Sequence, residues 1–146
     1  MTSFQLKATI QNDIHTVWEK MQDFENYSLW RRDVERTEVI DKNRFVLTNK
    51  DGYDTSCFII SLNPCSYMEI ELENSSIKGH WTAGFKTVGQ ETELVLTMYA
   101  EAKQLSARPV GKSVFEQTYL KKELEEFAAD LKQELTELKA RDASCP

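Results

Sequence analysis

The chain has 146 residues, and 24 acidic against 18 basic side chains give it a formal net charge of −6. This length is typical of one domain that buries about 68–70% of its unfolded surface. The charge, with a pI near 5.0, argues against a nucleic acid or anionic membrane partner, since both would be repelled.

The first predicted elements are a strand and two short helices. Residues 3–10 alternate apolar and polar side chains, which is typical of a half-buried strand. Asn12 or Asp13 can then cap an amphipathic helix, because apolar residues follow at i, i+3, i+4 and i+7. These apolar positions are Ile14, Val17, Trp18 and Met21. A break and a second short helix with three aromatic residues follow, up to Trp30.

The middle of the chain, from about residue 36 to residue 103, predicts strands separated by turns. Turn signals include Asn63-Pro64 and the run Asn49-Lys50-Asp51-Gly52. The predicted strands cover residues 36–40, 45–48, 53–62, 67–72, 78–87 and 92–102. With the first strand they make a seven-stranded antiparallel sheet, and the alternation of apolar residues indicates that one face is covered.

The last predicted element is a long amphipathic helix. Residues 105–112 contain Pro109 and Gly111 and are predicted to form a loop. Ser113 and Glu116 then match a capping box, and one apolar stripe continues to about Lys139. We expect a single domain over residues 1–140 and a flexible tail over residues 141–146.

This order of elements resembles the START, pollen-allergen-like and polyketide cyclase/dehydrase-like superfamily of lipid-transport proteins. The resemblance depends on Val17-Trp18, on the segment Asp23-Phe24-Glu25-Asn26-Tyr27 followed by Trp30, and on the final helix. It implies an α+β helix-grip fold, β-α-α-β6-α, in which a curved sheet wraps around the long helix. It also implies a cavity between the sheet and the helix for an apolar small molecule. The superfamily shares no catalytic residues, so the resemblance implies none here.

Aromatic and sulfur-containing side chains are the main candidates for the lining of such a cavity. For most of them, simple core packing is the alternative. Phe115 and Tyr119 point away from the main stripe of the last helix, so they either meet the short helices and the loop or form an exposed apolar edge of the entrance. One polar candidate joins them, because the inward stripe of the last helix, followed backwards, reaches Gln117; the alternative is that the helix has left the core at that point. The predicted ligand-binding residues are Tyr27, Trp30, Phe58, Met68, Trp81, Phe85, Met98, Phe115, Gln117 and Tyr119.

No catalytic residue, metal site or cofactor is predicted. His15 and His80 are interpreted as surface residues, and Cys57 lies in an apolar run that favours a buried thiol. The run Lys121-Lys122-Glu123 is interpreted as a solvated helix face. Phosphate-binding glycine motifs and the Gly-x-Ser-x-Gly hydrolase motif are absent from the sequence.

The predicted function is the binding or transport of a lipid-like or polyketide-like small molecule without intrinsic catalysis. One alternative is a polyketide cyclase, aromatase or dehydratase, which needs a buried ionisable group facing the cavity. Another is a protein-interaction module of the cochaperone or ribosome-associated type, which a filled cavity would favour. The N-terminus lacks signal-peptide features and no apolar run reaches the roughly 20 residues of a membrane span. We therefore expect a cytoplasmic protein, a monomer or weak homodimer, without nucleic acid partners or integral membrane association.

Overall fold

The computed structural model describes residues 2–103 and 109–144, and the side chains of residues 2–103 and 117–140. The N-terminal part contains a strand, a helix and a short 3-10 helix, and the C-terminal part is one long helix. In chain order the elements are β1 (Thr2–Ile10), α1 (Ile14–Gln22), the 3-10 helix (Phe24–Leu29), β2 (Val34–Asp41), β3 (Arg44–Asn49), β4 (Asp54–Asn63), β5 (Tyr67–Glu73), β6 (Ile77–Val88), β7 (Glu91–Ala102) and α2 (Pro109–Ser144).

The strands form one curved, seven-stranded antiparallel sheet with the order β1-β7-β6-β5-β4-β3-β2. Strands β2 to β7 follow one another as a meander, and β1 joins the sheet beside β7. The register shifts between Ile59 and Ser61 on β4 and between Val34 and Arg36 on β2. Such irregularities bend a strand, and they lie in the half of the sheet that is remote from β1. The predicted helix-grip architecture is confirmed.

Helix α1 forms where the capping signal predicts it. The side chain of Asp13 accepts a hydrogen bond from the backbone N–H of Thr16 at 3.1 Å, which satisfies one free donor at the helix start. Val17, Trp18 and Met21 are buried along one face. The helix therefore packs with this apolar face on the sheet, where it contacts β6 and β7.

The second predicted helix is a 3-10 helix, and aromatic contacts fix its position. Phe24 stacks on Phe45 of β3 with ring centroids 4.4 Å apart. The hydroxyl of Tyr27 donates a hydrogen bond to the backbone carbonyl of Met21, so the buried phenol also ties this turn to α1. The 3-10 helix contacts β2 and closes one end of the sheet.

Helix α2 begins earlier than the sequence predicts, because Pro109 opens it. The predicted loop is wrong for residues 109–112, and the capping box at Ser113 does not start the helix. Proline fits the first helical turn, since its fixed φ is helical and its missing N–H would be unpaired there anyway. Gly111 is accommodated inside the helix at a cost of about 1 kcal/mol. The helix ends at Ser144, so the predicted end near Lys139 and the predicted tail are wrong for residues 141–144. Residues 1, 104–108, 145 and 146 lie outside the described part of the chain.

The contacts of α2 with the sheet are concentrated on β1 and β7. Its apolar stripe is fully buried at Leu120, Leu131 and Leu135. The carboxylate of Asp130 accepts hydrogen bonds from the backbone N–H of Arg32 at 2.9 Å and from its Nε at 2.8 Å, which holds α2 to the segment after the 3-10 helix. Because the helix lies close to one half of the curved sheet, a gap is left against the other half. No helix in the described part of the chain has the length and hydropathy of a membrane span.

Candidate functional site

A cavity of about 170 Å³ occupies the gap between α2 and the far half of the sheet. Its floor comes from inward-facing side chains of β3 to β7, its roof from α2, and one end from the 3-10 helix and the loop after it. The described lining residues are Tyr27, Arg31, Asp33, Val34, Phe45, Leu47, Asn49, Thr55, Cys57, Ile70, Leu72, Asn74, Ile77, Trp81, Met98, Tyr119, Glu123, Leu124 and Phe127.

Some of the residues predicted to bind a ligand line this cavity. Tyr27 lies at the closed end, Trp81 and Met98 lie on the floor, and Tyr119 lies on the roof. Trp81 and Met98 are paired across β6 and β7, so both side chains point to the same face of the sheet. Their contact with a ligand stays a prediction, but the structure brings these four side chains around one space.

Other predicted residues lie in the core beside the cavity. Trp30 packs behind it, with its ring centroid 5.5 Å from that of Phe127. Met68 is fully buried, and Phe85 packs edge to face on Trp18 at 5.1 Å. These three side chains are absent from the described lining.

Phe58 and Gln117 point away from the cavity. Phe58 is 43% exposed on the outer face of the sheet, because it alternates with Cys57, which points inward. The exposed Gln117 donates a hydrogen bond from its Nε2 to the backbone carbonyl of Ser3 at 2.9 Å. The helix has left the core at Gln117, as the alternative interpretation of the sequence held. The side chain of Phe115 lies outside the described residues.

The structure also places an ionisable cluster at the cavity, which the sequence analysis missed. Arg31 and Asp33, in the loop after the 3-10 helix, form a two-pronged ion pair, Nε–Oδ1 at 3.2 Å and Nη2–Oδ2 at 2.8 Å. The guanidinium lies over the rings of Tyr27 and Phe127, 5.2 and 5.1 Å from their centroids. Asp33 keeps 32% of its side chain exposed, so the cavity reaches solvent on its side.

Glu123 completes the cluster from α2, and its interpretation as a solvated residue is wrong. It lies three residues after Leu120 and four before Phe127, both buried, so the helix turns it towards the cavity. Burial, assisted by the nearby carboxylate of Asp33, raises the pKa of Glu123 to about 7. The position of Glu123, three residues after one apolar residue and four residues before another, was the sequence signal that could have revealed its place at the cavity.

Burial also controls the other ionisable groups of the cavity. It raises the pKa of the Tyr27 and Tyr119 hydroxyls well above their usual range, so both stay protonated hydrogen-bond donors. It raises the pKa of the Cys57 thiol to about 12, which makes that group inert near neutrality. Burial opposes the charge of Arg31, but Asp33 outweighs this effect and raises the pKa of the guanidinium.

The two histidines lie away from the cavity. His80 stacks on Tyr99 on the outer face, with centroids 4.4 Å apart. His15 places its Nδ1 3.4 Å from the Sγ of Cys65, a pair that the sequence spacing does not reveal. Across the described residues, no group of three His, Cys, Asp or Glu side chains is arranged to hold a metal ion.

The comparisons with known proteins agree with this geometry. Residues 1–136 match the profile of the family described as polyketide cyclase/dehydrase and lipid transport. No protein of curated function matches the sequence significantly.

Solved structures of similar fold include a START superfamily protein from Mycobacterium smegmatis. It has 14% sequence identity and a TM-score of 0.81, and the match covers 94% of this chain and 99% of that one. The Zhui aromatase/cyclase from Streptomyces sp. R1128 has 13% identity and a TM-score of 0.80, with 97% of each chain covered. A conserved protein from Geobacillus kaustophilus has 15% identity and a TM-score of 0.79, with 92% of this chain and 95% of that chain covered. At such identities the likeness establishes the fold, and the profile match establishes the family. The chain belongs to the polyketide cyclase/dehydrase and lipid transport family.

Proposed function

We propose that this protein binds a small amphipathic organic molecule in the cavity between α2 and the sheet, without changing it chemically. The observation that carries the proposal is a cavity whose apolar rings surround a few convergent polar groups, which is the usual composition of a small-molecule site. Family membership supports the same class of function.

The size of the cavity limits the part of the ligand that it encloses. A cavity of about 150 Å³ with an apolar lining accepts benzene in another protein. At about 170 Å³, this cavity takes a single ring or a short branched chain. A longer lipid-like or polyketide-like molecule would extend past Asp33 into solvent, where that carboxylate is partly exposed.

Filling the cavity tests the proposal. Leu47→Trp adds an indole on the floor, and Leu29→Trp adds the same group at a position that is 77% exposed. Native mass spectrometry of protein purified from its host identifies a co-purifying molecule, and NMR titration with ring-sized probes measures affinity. We expect Leu47→Trp to weaken binding by at least about tenfold, or 1.4 kcal/mol, and Leu29→Trp to leave it unchanged.

If Leu47→Trp impairs folding, Ile77→Phe offers a smaller filling change at the same cavity. Circular dichroism and thermal melting establish whether each variant is folded. Equal binding by a folded cavity-filled variant and by Leu29→Trp would refute the proposal.

A second candidate function is catalysis, because Glu123 meets the requirement for a buried ionisable group at the cavity. A carboxyl group with a pKa near 7 is suited to proton transfer at neutral pH. In a dehydration, the Glu123 carboxylate would take the proton α to a ketone, and the electron pair of that C–H bond would form the carbon–carbon double bond as the β carbon–oxygen bond breaks. The leaving hydroxide would take the proton back from Glu123 and depart as water. Formation of an enone from a β-hydroxy ketone, followed by absorbance, tests this candidate. The rate should fall in Glu123→Gln and persist in Glu125→Gln, whose side chain is exposed.

A further inference from the structure

The charge of Arg31 is already compensated, so the cavity offers a weak anchor for an anion. Both prongs of its guanidinium are directed at Asp33, at 3.2 and 2.8 Å. Its guanidinium also lies over the rings of Tyr27 and Phe127. A ligand carboxylate would have to displace Asp33 or lie beside it uncompensated, and a mostly buried uncompensated charge is costly.

Among the charged residues of the described cavity lining, Glu123 is the one that lacks a partner. Within the described residues its carboxyl makes no hydrogen bond or ion pair, although it lines the cavity and is mostly buried. The charged groups that act on it are Asp33 and Arg31 from the facing loop, and Glu126 and Lys122 from its own helix. Because Arg31 and Asp33 cancel each other, an ionised Glu123 leaves the cavity with one unbalanced negative charge.

The cavity also presents aromatic rings to its contents. Phe45 and Trp81 lie on the floor, Tyr119 and Phe127 on the roof, and Tyr27 at the end. Aromatic faces attract cations, because the ring quadrupole is negative above and below the ring. A positive group on a ring-sized body would therefore meet both a carboxylate and aromatic walls.

We propose that the ligand of this cavity is an organic cation, a protonated amine on a ring-sized apolar body, with Glu123 as its counter-ion. This inference rests on the proposed function, because it names the class of ligand for the same cavity. The ammonium group supplies the charge-assisted hydrogen bonds that Glu123 lacks. The apolar body occupies the floor beside Trp81.

Three ligands of one size and three charges test the proposal. Benzylamine, benzyl alcohol and benzoate share a six-membered ring and differ in charge, from +1 through 0 to −1. NMR titration of isotopically labelled wild-type protein at pH 8 gives three dissociation constants. We expect benzylamine to bind at least about tenfold more tightly than benzyl alcohol, and benzoate to bind most weakly.

Variants distinguish the effect of Glu123 on ligand preference from the effect of the protein's overall negative charge. Glu123→Gln should remove the preference for benzylamine over benzyl alcohol. Glu125→Gln makes the same chemical change at an exposed position of α2, so it should keep the full preference. Lowering the pH from 8 to 5.5 should weaken benzylamine binding to the wild type and have little effect in Glu123→Gln, because Glu123 becomes protonated.

The outcomes distinguish this inference from the proposed function. Binding of benzyl alcohol or benzoate at least as tight as that of benzylamine would overturn the cationic ligand and leave a small-molecule site intact. A preference for benzylamine that survives in Glu123→Gln would overturn the role of Glu123. Failure of all three ligands to bind, with Leu47→Trp no different from the wild type, would overturn both proposals.

Discussion

The raised pKa of Glu123 predicts a pH-dependent stability that one substitution removes. The folded protein holds the pKa of this carboxyl at about 7, against a usual 4.5. The folded state therefore binds the proton more tightly than the unfolded chain does. Wild-type stability should be highest when Glu123 is protonated and should fall as the pH rises from about 4.5 through 7.

The magnitude follows from proton linkage. A rise in the pKa from 4.5 to about 7 corresponds to about 3 kcal/mol at full ionisation, and most of this accrues between pH 5 and pH 8. Because the side chain keeps some contact with solvent, we expect an observed loss of about 2 kcal/mol over that interval. Glu123→Gln cannot ionise, so the amount by which its free energy of unfolding exceeds that of the wild type should grow by about 2 kcal/mol between pH 5 and pH 8.

Urea unfolding followed by tryptophan fluorescence, at half-unit steps of pH, measures both curves. Glu125→Gln serves as the matched control, since its exposed carboxyl should leave the wild-type pH dependence in place. A difference between the wild type and Glu123→Gln that stays constant from pH 5 to pH 8 would refute the reasoning. It would mean that the carboxyl is solvated in the folded protein.

Two further predictions concern the sheet. A methyl group on Gly79 would lie 1.9 Å from a backbone carbonyl oxygen of β7, so Gly79→Ala should lower the free energy of unfolding by about 3 kcal/mol. Gly84→Ala, with its nearest neighbour at 4.0 Å, should change it by less than about 0.5 kcal/mol in the same urea assay, and equal effects would contradict this account. In a Cys145→Ser background, a thiol reagent at pH 8 should modify the partly exposed Cys65 in the native protein and reach the buried Cys57 only after unfolding. If peptide mapping shows that Cys57 is labelled rapidly in the native protein, strand β4 at the cavity opens readily and this prediction is wrong.

Local patterns in the sequence were sufficient to predict the order of strands and helices, and the resemblance to the family implied the helix-grip arrangement. Alternating apolar residues mark the strands, and the cap at Asp13 marks the start of α1. Each of these signals depends only on residues that are close together in the chain. The start of α2 was different. Pro109 and Gly111 are loop formers by propensity, but a proline in the first helical turn carries no penalty, so the same residue is compatible with a loop and with a helix start.

The site was predictable only in its apolar part. Trp81 and Met98 lie on the inward face of strands whose alternation is clear, so their place at the cavity follows from the fold. Arg31 and Glu123 are distant in the chain and meet because α2 lies against one side of the sheet. Nothing in the short-range pattern around Arg31 distinguishes it from a solvated arginine, since its neighbours include charged Arg32 and Asp33.

Helix α2 packs against one half of the sheet, and this has a consequence for the motions of the strands. Helix α2 packs on strands β1 and β7, whereas β3 and β4 face the cavity and are followed by β2, the edge strand of the sheet. Amide protons of β3 and β4 should therefore exchange with solvent through smaller openings than those of β7. A bound ligand would pack against β3 and β4, so binding should slow amide hydrogen exchange in these strands far more than in β7. The half of the sheet that contains β3 and β4 should therefore open more readily than the half held by α2.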